Sequence, residues 1–97
     1  MLKTDRLPRI TPGTEWSPIE FVSEPFVTVT FRGYAAACEV RSIETGLAYT
    51  LLLGAKSLSD AIEPLRILRG GELIGLKVAI RKASEERTAP YELRLIQ

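Results

Sequence analysis

Apolar and polar residues change their spacing twice between residues 46 and 82, and those changes outline the fold. Residues 47–53 are an apolar run of strand length, bounded by Gly46 and Gly54. Leu58, Ala61, Ile62, Leu65 and Leu68 then recur at helical spacing and make one apolar stripe. After Gly70-Gly71, Leu76, Val78 and Ile80 alternate with Lys77, Ala79 and Arg81, the period of a half-buried strand. The centre of the chain therefore reads strand, helix, strand.

The flanks read as further strands behind an arm. Residues 1–19 hold Pro8, Pro12, Pro18 and Gly13 among Lys3, Arg6 and Arg9, a density of proline that forbids a helix and predicts an extended arm. Trp16 in this arm has two readings: with Ile19 it pins the arm over one end of the core, or it is an exposed stacking ring. Residues 19–34 form the first predicted strand, punctuated by Pro25; Phe26, Thr28, Thr30 and Arg32 alternate with Val27, Val29 and Phe31. Gly33 marks a bulge or bend before a second strand over 35–43, and Glu44-Thr45-Gly46 turns the chain into the third, 47–53.

The helix is expected to begin at Ser57 or Ser59 as a serine cap, with Asp60 and Glu63 at its positive end and Arg66 and Arg69 at the other. Pro64 either falls in its first turn or kinks it. A fourth strand over 73–82 and a fifth over 90–96 enclose a charged hairpin tip at 83–88.

Composition narrows the function more by exclusion than by indication. Ninety-seven residues with 45% hydrophobic and 26% charged side chains fit one domain, with residues 20–97 as its body. A formal charge of +1 gives no general pull toward polyanions, although arginine outnumbers lysine nine to four. The single cysteine, Cys38, excludes an internal disulfide, and the absence of histidine removes zinc sites and histidine-based triads. No signal-peptide core or run of membrane-span length is present, so a soluble cytoplasmic protein is expected. No Gly-x-x-x-x-Gly-Lys loop and no close carboxylate pair appear, so neither an enzyme nor a cofactor is expected.

Counting the arm apart, the order is three strands, one helix and a two-stranded hairpin: mainly β with one helix between strands three and four. With the glycine in Leu73-Ile74-Gly75-Leu76-Lys77-Val78 and the hairpin after it, residues 20–96 resemble the small OB-fold single-stranded-nucleic-acid-binding proteins of archaea, bacteria and their viruses. The resemblance implies a five-stranded Greek-key barrel whose second and third strands, with the first–second and fourth–fifth loops, bind a strand. Such binding takes cations for phosphates and flat rings for bases.

The candidates so implied are Arg32, Tyr34, Arg41, Tyr49, Lys77, Arg81, Lys82, Arg87 and Arg94. Cross-strand pairs with Glu85, Glu86 and Glu92 are the alternative use of Arg81, Arg87 and Arg94. Single-stranded DNA, ahead of RNA, is the expected partner, in replication, repair or viral genome handling. The alternative is a protein-interaction module: an accessory subunit of a larger complex, or a homo-oligomer. Ile67, beside Leu68 at the helix end, either contacts a partner or packs under the arm.

Overall fold

A computed structural model of the chain describes residues 7–96. The fold is mainly β with one helix: β1 (Ser17–Phe21), β2 (Phe26–Thr30), β3 (Gly33–Ser42), β4 (Ala48–Leu52), α1 (Lys56–Leu68), β5 (Lys77–Lys82) and β6 (Tyr91–Leu95). All six strands join one open antiparallel sheet in the order β2-β3-β1-β5-β6, with β4 on the other edge of β3. The long β3 organises it. One edge of β3 pairs with β2 along residues 33–37 and with β1 along 40–42, while the other edge pairs with β4 along 37–41.

Six strands replace the expected five because the first one breaks between Phe21 and Phe26. Pro25 has no N–H to give a ladder, and the polar side chains before it take over the backbone bonding. Val22 N–H donates to Glu39 O (2.9 Å), and Glu39 N–H donates to Ser23 Oγ (2.8 Å). The Glu24 carboxylate receives the N–H groups of Leu73 (2.9 and 3.1 Å) and Ile74 (3.0 Å). Residues 73–76 consequently form a turn docked on Phe21, rather than the expected start of a strand: Gly75 N–H donates to Phe21 O and Phe21 N–H to Leu76 O.

The strand that follows the arm begins earlier than its proline suggests. Pro18 lies inside β1, which is flanked by β3 and β5. It is tolerated because it sits at the last rung toward β3, where its carbonyl still accepts Ile43 N–H (3.0 Å). The arm itself lies on the body from Leu7 onward; its Lys3 and Arg6 fall outside the described residues. Ile10 packs against the core and Pro12 is buried. Gly13 O accepts Lys82 N–H (2.7 Å), so the arm spans from β4 to β5.

The helix departs from expectation at both ends. Ala55 precedes it without a side-chain cap, because the two serines bond outside the helix. Ser57 Oγ accepts Tyr91 N–H (3.1 Å) and Ser59 Oγ donates to Leu53 O (2.8 Å). Pro64 lies well inside α1 rather than in its first turn. The buried stripe is Leu58 and Ile62, with Leu65 packed beside them; Leu68, expected on that stripe, is 81% exposed, and Ile67 is 66% exposed rather than packed under the arm. At the C-terminus, Gly71 takes a φ of +95° and returns its N–H to Arg66 O (2.9 Å), a stop that an L side chain would strain.

The core lies between α1 and one face of the sheet. Ile19, Phe21, Cys38, Val40, Leu51, Leu58, Leu73, Leu76, Val78 and Ile80 are all essentially inaccessible. Each large side chain so buried stabilises the fold by roughly 1.5–3 kcal/mol, and that burial holds the strands and helix in place. Burial also raises the Cys38 thiol from 9.0 to about 12, with a smaller push from the Glu24 carboxylate, so the thiol stays protonated.

Candidate functional site

The β2–β3 hairpin projects past the core that anchors it. Thr30 pairs with Gly33, leaving Phe31 and Arg32 as the two-residue loop. Neither loop residue has a positive φ; Gly33 supplies it at +106°, where a Cβ would be strained. Thr30 Oγ1 locks the turn by accepting Arg32 N–H (3.2 Å) and donating to Gly33 O (2.9 Å). Along β3, residues 34, 36, 38 and 40 share a face. Cys38 and Val40 are buried on it, yet Tyr34 and Ala36 are exposed, so the distal half of the hairpin overhangs the core.

That overhang builds an open groove of about 540 Å³. Phe31, Arg32 and Tyr34 line it from the hairpin, and Tyr91 lines it from the start of β6. Ala35, Leu52, Gly54 and Ala55 complete an apolar floor. Phe31 is 109% exposed, an aromatic ring held wholly in solvent by a hydrogen-bonded turn. Lys82 lies directly across from Tyr91 in the β5–β6 register, and the exposed Arg87 lies in the connection between those strands. Arg32 and Arg87 make no side-chain ion pair among the described residues. The groove therefore offers flat rings beside available cations.

The remaining candidates from the sequence go elsewhere. Arg41 and Lys77 flank Glu20 in cross-strand register, and Arg41 Nη2 bonds Glu20 Oε1 at 2.7 Å. Arg81 Nε bonds its cross-strand neighbour Glu92 at 2.8 Å. The guanidinium carbons of Arg81 and Arg94 stand 4.4 and 4.6 Å from the centre of the half-buried Trp16 ring. Trp16 thus anchors the arm by stacking on two cations, each contact worth about 0.5–1 kcal/mol at an exposed site. Lys77, Arg81 and Arg94 share the sheet face opposite Val78 and Ile80, where anions and Trp16 occupy most of their charge. Tyr49 packs against the core.

The nine candidates are thus divided among the hairpin groove, the β5–β6 connection, the opposite face and the core margin. Phe31 and Tyr91 were not among them. Phe31-Arg32-Gly33 carries a signal for one of them, an aromatic residue in the turn of a strand pair; for Tyr91 only the tertiary fold reveals its neighbours.

Among the described residues no group of three acidic, cysteine or histidine side chains could hold a metal ion, and no helix is long and apolar enough to cross a membrane. No protein-family model, curated protein or solved structure matches this chain.

Proposed function

We propose that the protein is a non-catalytic binder of single-stranded nucleic acid, DNA ahead of RNA, in replication, repair or viral genome handling. The observation that carries the reading is the convergence of Phe31, Tyr34 and Tyr91 with Arg32 on one open groove. Base stacking on such rings is worth roughly 1–3 kcal/mol per base and tolerates any sequence. Arg32 at the rim, with Lys82 and Arg87 on the neighbouring hairpin, supplies charge for the backbone.

The finer fold reading belongs with this proposal. With β1 and β2 taken as one broken strand, the order becomes that of an OB-like Greek-key barrel with α1 between its third and fourth strands. In that scheme the β2–β3 turn and the β5–β6 connection are the two strand-binding loops. The groove lies against both, since Tyr91 follows the second.

The test is a fluorescence-anisotropy titration of labelled oligo-dT at two salt concentrations. Binding should weaken with salt, with a slope of about 0.7 per phosphate contact, and Arg32→Glu should lower that slope. Arg81→Glu should affect stability and leave the slope unchanged, because Arg81 is already paired with Glu92 and Trp16. Absence of binding at low salt sinks the proposal. A second reading, an accessory subunit that docks on a protein, rests on the exposed Ile67 and Leu68 at the end of α1. It predicts a complex with a protein partner that Leu68→Glu abolishes and Arg32→Glu leaves intact.

A further inference from the structure

Three strand edges bound the sheet, and two are covered. On the outer edge of β4, Thr50 N–H donates to Pro8 O (2.8 Å) and Thr50 O accepts Ile10 N–H (3.0 Å). On the outer edge of β6, Tyr91 N–H donates to Ser57 Oγ of α1. The third edge belongs to β2, and no strand among the described residues pairs with it.

The direction of its backbone groups follows from β3. Leu53 N–H donates to Ala36 O on the β4 side, and Val22 N–H donates to Glu39 O on the β1 side. Antiparallel bonding alternates along a strand, so odd-numbered residues of β3 bond toward β2. Phe26, Thr28 and Thr30 are then turned inward by the register, and Val27 and Val29 present their N–H and C=O groups outward. The Arg9 guanidinium donates to Val29 O at 3.1 Å, which fits that direction.

Edge strands are normally protected by a charge, a proline or a bulge. Phe26–Thr30 has none of these within it, and Val27 and Val29 are 39% and 53% exposed.

We propose that β2 is a homodimer edge, where two copies pair antiparallel about a two-fold axis at Thr28. Each Val27 then faces its partner's Val29, and outward N–H meets outward C=O in both directions. Exposed Val27, Val29 and Phe31 of the two copies form one apolar strip on a shared face. At each end Glu24 stands opposite its partner's Arg32, so opposite charges fix the register; the Glu24 carboxylate also holds the Leu73 and Ile74 amides. An axis at Val27 would set Val29 against Pro25, which has no N–H. An axis at Val29 would leave Arg32 opposite Phe26. Only the axis at Thr28 satisfies both backbone and charge. The Arg9 guanidinium occupies the Val29 carbonyl that the second copy's Val27 N–H takes, so Arg9 opposes association. This interface does not rest on the strand-binding reading.

The experiment is sedimentation equilibrium of the full chain over a wide concentration range, for the unaltered protein, Val29→Lys, Arg32→Glu and Arg9→Ala. The unaltered protein should show a concentration-dependent dimer. Val29→Lys, at an exposed site, should weaken it about tenfold or more by placing a charge in the apolar strip, and Arg32→Glu should weaken it by setting like charges opposite each other. Arg9→Ala should strengthen it. Circular dichroism confirms that each variant is folded, and Arg32→Glu in the exposed turn serves if Val29→Lys does not fold. Strictly monomeric behaviour of both the unaltered protein and Arg9→Ala overturns the proposal. So does a dimer indifferent to Val29→Lys and Arg32→Glu, which would place the interface elsewhere, as on Ile67 and Leu68.

Discussion

Glu24 is the side chain on which the broken first strand most depends. Its carboxylate receives Leu73 N–H through both oxygens and Ile74 N–H through one, and so ties the β1–β2 break to the turn before β5. Removal by Glu24→Ala strands two amides of unequal exposure. Leu73 is fully buried, so its N–H has no water to replace the lost acceptor; Ile74 is exposed and can be solvated. An uncompensated buried N–H costs about 1–3 kcal/mol, and a charged hydrogen bond replaced by water somewhat less than its nominal 1.5–3 kcal/mol. Together these give about 2–4 kcal/mol. For a domain of this size that lowers Tm by roughly 10–25 °C.

Glu24→Gln keeps one acceptor oxygen and should lose about half as much. Thermal unfolding followed by Trp16 emission measures the loss, and hydrogen exchange at the Leu73 amide localises it, with protection falling there before it falls on β3. A loss below about 0.5 kcal/mol in Glu24→Ala, the range of ordinary surface changes, would refute the reasoning. Unchanged protection at Leu73 would do so as well.

Phe31→Ala should leave Tm unchanged, because the ring buries nothing, while weakening oligo-dT binding about 5- to 150-fold, the equivalent of one stacked base; equal binding by the variant would remove Phe31 from the interface. Trp16→Ala should destabilise the fold by about 1–2 kcal/mol through loss of its stacking on Arg81 and Arg94, read as a lower denaturation midpoint. Native Cys38 should resist iodoacetamide at pH 8 and react only on unfolding; rapid native labelling would contradict its burial. Its linkage has a definite sign. Above about pH 9 the unfolded chain loses the thiol proton while the folded chain keeps it to about 12, so stability from this group is full below pH 9 and falls as pH rises toward 12. Cys38→Ala should flatten that alkaline decline.

Local periodicity and backbone chemistry were enough to place most elements. Alternation over Lys77–Lys82 and Tyr91–Leu95, the apolar run at Ala48–Leu52, the helical stripe through Leu58 and Ile62, and the Gly70-Gly71 stop all depend on interactions within a few residues, and each appears within a few residues of its expected bounds. Side-chain partnerships depended on the tertiary arrangement. Ser57 and Ser59 carry the local signature of caps, but Tyr91 N–H and Leu53 O compete for them across the fold. Arg81 and Arg94 alternate in the sequence as a cationic row would, but Trp16 and Glu92 reach them from other elements. The sequence alone determined which residues can form strands, helix and turns, since sterics and spacing act locally. Only the tertiary structure decided that the first strand breaks at Glu24-Pro25, that the hairpin overhangs the core, and that Phe31, Tyr34 and Tyr91 share a groove. Those outcomes depend on which groups distant in the chain satisfy one another's hydrogen bonds and burial.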